Sequence, residues 1–342
     1  MKIISCIEPG KLEYRDIPEP VCPPGHSIIK IRRIGICGTD IHAFGGTQPY
    51  FSYPRVLGHE LAAEFVEGDS QQLRKGDIVT VIPYQHCGSC IACRNGNTNC
   101  CQNMKVIGVH TDGGMAEFLV VPSHLLLPAA GLAPDMLALV EPFAIAAHAV
   151  RRAAILPDEN VLVIGAGPIG LATMEMASVA GANVLAIDVN DNRLTWAKKI
   201  AGVKIAINAF DDHLDEKLRE ATDGDMPAVV IDATGNLNAI NNAFRFMSHA
   251  GRYVLVGLQK GTIGFSHPEF HKREGTLLSS RNATRKDFDH VLENIRIGRI
   301  NPEHYITHKI HFDNMVQEFP SLITDEGIVK AMINLDQDDV SS

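Results

Sequence analysis

The chain has 342 residues, 45% of them hydrophobic and 21% charged, with a net charge of −9. That length suits about two domains of ordinary size, and the balance favours packed cores over disorder. No basic run exceeds Arg32-Arg33, Lys198-Lys199 or Lys272-Arg273, which excludes a nucleic-acid surface. The first ten residues carry Glu8 and no apolar run, so no signal peptide is expected. The longest apolar stretch, residues 136–150, contains Glu141 and His148 and falls short of the ~20 residues of a membrane helix. A soluble, cytoplasmic protein with no membrane partner is expected.

Residues 1–85 show short alternating runs broken by Gly and Pro, with strands expected at 27–34, 61–66 and 77–82. Helical periodicity is weak, so this part reads as a β-rich domain. Within it, Gly35-Ile-Cys-Gly-Thr-Asp-Ile-His42 is followed by a loop and then by Leu57-Gly-His-Glu60. Cys37, His59 and Glu60 offer a thiolate, an imidazole and a carboxylate. Three such ligands suit a reactive zinc site that keeps a position open. Gly35, Gly38 and Gly58 sit beside these groups, where they allow the backbone to turn.

Eight cysteines are present, and five fall within fifteen residues. In a cytosolic chain such crowding points to metal rather than disulfides. Cys87, Cys90, Cys93 and Cys101 have the spacing to wrap one zinc ion tetrahedrally and leave no open position. The bacterial ferredoxin pattern differs, placing its fourth Cys after three residues and following it with Pro. Cys100 adjoins Cys101, and the usual spacing favours Cys101. Cys6 and Cys22 belong to no motif and read as structural.

Residues 161–164 form an apolar strand that runs straight into Gly165-Ala-Gly167-Pro168-Ile169-Gly170. A helix is expected at 171–180 and a second strand at 183–187, ending in Asp188. Gly165 permits a tight turn, Gly167 lets the backbone approach a pyrophosphate, and Gly170 lets helix and strand pack closely. The helix N-terminus then faces the phosphates. Asp188 lies eighteen residues after Gly170, where a carboxylate accepts from a ribose 2′-hydroxyl and repels a 2′-phosphate. NAD is therefore expected over NADP. Strands at 204–208, 228–232 and 252–257 alternate with helices at 192–201, 212–221 and 237–250, a rhythm that implies a parallel sheet covered on both faces. Beyond residue 281 the pattern loosens, with a helix expected at 286–297, a strand at 328–335 and a frayed polar tail from Asp336.

Taken together, the 35–42 motif, Gly58-His-Glu60, the four-cysteine lobe, Glu141-Pro-Phe and the 165–170 glycines with Asp188 resemble the zinc-dependent medium-chain dehydrogenases, in the sorbitol and threonine dehydrogenase branch. The resemblance spans essentially the full chain. It implies an α/β fold: a GroES-like catalytic domain at 1–145 with a structural zinc lobe at about 86–102, a doubly wound Rossmann NAD-binding domain at 146–283, and a return to the catalytic domain at 284–342. It also implies two zinc ions per chain, NAD, a small-molecule substrate and a homodimer or homotetramer. Cys37, His59 and Glu60 become catalytic zinc ligands, with Glu141 a fourth, exchangeable ligand or a near neighbour. No Cys follows Cys101, so the Cys-His-Cys set of simple-alcohol members is not possible here. An ionised Glu141 in its apolar run needs a partner. Thr39 and His42 resemble the family's proton relay. Arg193 sits where the family meets the adenosine half of NAD, or is a solvated helix charge.

A narrower resemblance rests on residues 42–54, 268–273 and 280–284, which look like bacterial dehydrogenases that oxidise C5 of L-galactonate or L-gulonate to the 5-keto acid, D-tagaturonate or D-fructuronate. The implied reaction forms a zinc alkoxide and passes hydride to NAD. The substrate's carboxylate would want an Arg or amide donors. Arg281 and Asn282 are the candidates, unless Arg281 only holds the nicotinamide-side loop. Within the family the alternatives are a polyol, L-threonine or short-diol dehydrogenase; outside it, a non-catalytic NAD-sensing zinc protein.

Overall fold

The computed structural model describes residues 1–48, 51–325 and 327–336. Positions 49 and 50 of the 42–54 motif, and the expected frayed tail from residue 337, lie outside them. Asp336 itself is held, by ion pairs to Arg32 at 3.1 Å and Arg33 at 2.5 Å. The chain divides into two compact units, residues 1–141 with 284–342, and residues 142–283.

The first unit is built around strand His26–Gly35, whose Ile28, Ile29, Ile31 and Ile34 are all buried. β-Branched residues suit such a half-covered pleated surface. This strand pairs antiparallel with Glu60–Gly68 and with Lys330–Asn334. Strand Phe118–Pro122 also pairs with its first half. The neighbouring Lys330–Asn334 comes from the far end of the chain. Arg33 ties the same distant segments together through Asp135 at 2.5 Å and Asp336. The core beneath draws on both segments, with Phe44 and Phe319 packed at 5.0 Å between ring centroids.

In the second unit six parallel strands run in the order Ile205–Asn208, Asn183–Asp188, Asn160–Ile164, Val229–Asp232, Arg252–Leu255, Thr276–Ser279. Their central residues are apolar without alternation, because helices cover both faces. The strand order reverses at Asn160–Ile164, which lies between Asn183–Asp188 and Val229–Asp232. This is the Rossmann arrangement, whose ligand crevice lies at such a reversal.

One local expectation needs correction, and one helix is unexpected. The helix expected at 237–250 ends at Ala243, and a short 3₁₀ turn, Phe244–Phe246, follows. Phe244 packs against Tyr253 and Phe270 at 4.9 and 5.9 Å, while Phe246 and Met247 are buried. Burying those side chains overrides the helical continuation. Gly38–Phe44, for which the sequence pattern suggests no element, is a helix of seven residues. It is too short to leave a periodic signal. No described helix is long and apolar enough to cross a membrane.

Phe319 is fully buried in the first unit's core. Phe319→Ala should lower its stability by about 3–5 kcal/mol through lost burial and the cavity left behind, read as a lower urea midpoint by far-UV circular dichroism.

Candidate active site

The ligand atoms of Cys37, His59 and Glu60 lie within 4.8 Å of one another. Each arrives by a different local device. Cys37 caps helix Gly38–Phe44, and its backbone N–H donates to Asp40 Oδ2 at 2.9 Å. His59 follows Gly58, whose φ of +94° is open to glycine at little cost. Glu60 opens strand Glu60–Gly68, directly across from Gly35. A Cβ at Gly35 would lie 2.0 Å from Glu60 Oε2. Of the three glycines expected to turn the backbone, only Gly58 has a left-handed φ. Gly35 makes room for the carboxylate, and Gly38 sits in the helix.

Further groups complete the surroundings, and the motif search did not single them out. Lys330 Nζ donates to both oxygens of Glu60, at 2.7 and 2.6 Å, and to the Ile36 carbonyl at 3.1 Å. Asp40 Oδ1 lies 3.7 Å from His59 Nδ1 and accepts the Gly58 N–H. Tyr84 donates its hydroxyl to Glu141 Oε1. Asp40 was legible as the residue three after Cys37, a capping position. Lys330 carries no local signal, because it lies 270 positions from its partner.

The electrostatics decide what this cluster is fit to hold. His59 and Lys330 are both buried, and burial works against their charged forms. Yet both hold their protons more tightly than usual. Asp40 and Cys37 outweigh burial at His59; Glu60 and Cys37 outweigh it at Lys330. A dry pocket that does this has a net negative potential. Its donors, a thiolate sulfur, an imidazole nitrogen and a carboxylate oxygen, are the three kinds zinc takes. Glu141 stands outside the three-residue cluster. Burial pushes its carboxyl up to about 7, His59 draws it back, and Oε2 is buried with no hydrogen-bond partner. Burial, then the Glu141 charge, hold the Tyr84 phenol well above its usual range, so its hydroxyl remains the donor.

Thr39 and His42 are three residues apart on helix Gly38–Phe44, and so share a face. Thr39 is half-buried and His42 exposed, with Nδ1 2.9 Å from Thr47 Oγ1.

The second metal cluster is Cys87, Cys90, Cys93 and Cys101, again within 4.8 Å. Cys100 is exposed outside it. Backbone N–H groups of Cys87 and Asn103 reach Cys101 Sγ at 3.3 Å, and that of Cys90 reaches Cys87 Sγ at 3.4 Å. The Ser89 hydroxyl, then the Ser89 and Cys90 amides, draw the Cys87 thiol down to about 5. Such N–H···S bonds favour thiolates, the form a metal binds. Strands Tyr84–Gln85 and Lys105–Val106 pair at the base of this lobe.

In the second unit Gly165 adopts φ +95° and donates its N–H to the Ile187 carbonyl at 2.8 Å. A Cβ at Gly170 would strike the Gly165 carbonyl oxygen at 1.7 Å, whereas one at Gly167 would meet nothing within 4 Å. Gly167 caps helix Pro168–Val179, with Pro168 in its first turn and Ile169 half-buried beside it. That open space before a helix N-terminus fits a pyrophosphate. Asp188 is 7% exposed and accepts from Ala166 N at 2.5 Å and Asn190 N at 2.8 Å, which braces the glycine turn. Arg193 is half-buried in helix Asp191–Ile200. Arg281 is exposed, and Asn282 has φ +53°. Both belong to the second unit and are no part of the cluster in the first.

Two family models cover this chain: the alcohol dehydrogenase GroES-like domain at residues 23–131 and the zinc-binding dehydrogenase at residues 168–296. L-galactonate-5-dehydrogenase of Escherichia coli K12 is 44% identical over 339 residues, 97% of this chain and 98% of that protein. The chain belongs to the zinc-dependent medium-chain dehydrogenase family. An uncharacterized zinc-type alcohol dehydrogenase-like protein of Haemophilus influenzae is 36% identical, over 95% of this chain and 94% of its own. The crystal structure of an alcohol dehydrogenase from E. coli CFT073, complexed with NADH, aligns with a TM-score of 0.91 and 31% identity, over 98% of this chain and 99% of that one. The fold is thus a GroES-like unit with a Rossmann unit. This dehydrogenase is a zinc- and NAD-dependent oxidoreductase acting on the alcohol group of a small molecule.

Without metal, folding raises the Glu141 carboxyl from 4.5 to about 7. The folded protein then holds this proton more tightly than the unfolded chain. Its contribution to stability is complete below pH 4.5 and is lost as pH rises through about 7. Chelator-treated dehydrogenase should lose roughly 3 kcal/mol over that window relative to Glu141→Gln, measured by urea unfolding across pH.

Proposed function

We propose that this dehydrogenase oxidises the secondary alcohol at C5 of a sugar acid, L-galactonate or L-gulonate, with NAD as hydride acceptor. The observation that carries the substrate is the 44% identity to an L-galactonate-5-dehydrogenase over nearly the whole chain. The buried Cys-His-Glu cluster supports the chemistry. The dehydrogenase works as a homodimer or homotetramer in this reading, which for assembly rests on the family resemblance.

Cys37, His59 and Glu60 would hold the catalytic zinc. Bound there, zinc supplies Lewis acidity to an alcohol oxygen, and NAD supplies the hydride acceptor. Cys87, Cys90, Cys93 and Cys101 would hold a structural ion. The chain's own groups do the rest. Lys330 fixes both Glu60 oxygens, so the carboxylate cannot rotate away. Asp40 Oδ1, 3.7 Å from His59 Nδ1, places a carboxylate charge beside the ring. Thr39 takes the substrate proton, and His42, exposed on the same helix face, passes it to water. Gly165, Gly167, Pro168, Ile169 and Gly170 cradle the dinucleotide phosphates. Asp188 faces the adenosine ribose beside its bonds to the glycine turn, and Arg193 lies five residues on. Arg281 and Asn282 receive the substrate carboxylate.

Purified enzyme with NAD should reduce the cofactor faster on L-galactonate or L-gulonate than on sorbitol, L-threonine or butanediol. Absence of any rate on both acids would remove the sugar-acid assignment. His42→Ala should slow oxidation most at low pH, where proton removal limits, with zinc content unchanged. Loss of zinc from that variant would instead make His42 structural.

A further inference from the structure

We propose that Tyr84 is a positioning residue for the metal chemistry: its hydroxyl fixes one oxygen of Glu141, and so presents the other to the cation held by Cys37, His59 and Glu60. This rests on reading that cluster as the catalytic metal site.

Three observations carry it. Glu141 is only 2% exposed, in the first turn of helix Val140–Ala153. Its Oε1 accepts from the Tyr84 hydroxyl, while its Oε2 is buried with no hydrogen-bond partner. A buried carboxylate oxygen left unmatched is costly, and a native fold retains one where a cation or water answers it. Glu141 lies close enough to His59, Glu60 and Lys330 to interact with their charges. The cation that Oε2 lacks is therefore the one the cluster is built to hold.

Tyr84 is suited to the task. Its ring is 4% exposed and meets Phe288 edge-on, with centroids 6.2 Å apart. That packing fixes the ring, so the hydroxyl is held before any metal arrives. A carboxylate free to rotate would lose that freedom on ligation; one already pinned at Oε1 has lost it in advance. Tyr84 is also tied to the other metal lobe. It stands three residues before Cys87, on a strand closed by Lys105–Val106. Order in the four-thiolate lobe is thereby transmitted to Glu141.

The test uses full-length enzyme substituted with cobalt, with Cys37→Ser as the blank for the four-thiolate lobe. Tyr84→Phe removes one hydroxyl and keeps the ring. It should weaken cobalt at the Cys37 site about tenfold or more by chelator competition, the usual effect of losing such an orienting bond. It should also shift the visible d–d band, with unchanged circular dichroism. Glu141→Gln should do the same, and the double variant should be no weaker than the worse single, because both act through one contact. Wild-type affinity and spectrum in Tyr84→Phe, or losses that multiply in the double variant, would overturn the proposal. If wild-type enzyme takes up no cobalt beyond the blank, the site reading fails and this proposal with it. Should Tyr84→Phe not fold, Glu141→Asp carries the same expectation, since it withdraws the carboxylate from a correctly held Tyr84. An unchanged band there overturns the proposal equally.

Discussion

The first unit is organised around a concentration of buried negative charge that the protein cannot neutralise alone. Cys37, Asp40, Glu60 and Glu141 meet where, among the described residues, His59 and Lys330 offer positive charge. Burying ions is unfavourable unless each is paired and hydrogen-bonded. Lys330 answers Glu60 with two short bonds, and Asp40 is answered by the amides of Cys37 and Gly58. What stays unmet, among the described residues, is one oxygen of Glu141 and Nδ1 of His59. A divalent cation held there, as proposed, would complete that account and so would serve the fold as well as the chemistry.

The surrounding architecture follows from this constraint. A central strand flanked by two others places Gly35, Glu60 and Lys330 in one layer. The absence of a side chain at Gly35 gives the carboxylate its channel. In the second unit the same economy appears. Asp188 closes the glycine turn through two backbone N–H groups while keeping its position at the end of its strand. One carboxylate thus braces the glycine turn and, in the proposed reading, faces the adenosine end of the cofactor.

Much of this was legible in the residues themselves. The glycine run after an apolar strand, and the alternation that follows, announce five strands of the parallel sheet, because periodicity and turn chemistry are local; the sixth, Thr276–Ser279, is a largely exposed edge strand with no such signal. The four-cysteine lobe is legible because metal geometry fixes spacing. Lys330 is not legible, since nothing near it in the chain hints at a partner 270 positions away. Helix Gly38–Phe44 escapes for the opposite reason: it is short and begins with glycine. The early end of the helix at Ala243 is set by the burial of Phe246 and Met247, a tertiary effect that propensity does not contain.

The first unit is discontinuous, and that gives the Cys37-His59-Glu60 cluster a birth order. Cys37, His59 and Glu60 leave the ribosome early, whereas the strand bearing Lys330 emerges after the whole second unit. At ordinary translation rates the gap is on the order of 10–50 s. Through that interval the nascent carboxylate has no lysine beside it and the central sheet lacks its last strand. Completion of the buried cluster is therefore coupled to chain completion, and a chain that stops before residue 330 leaves Glu60 without its lysine.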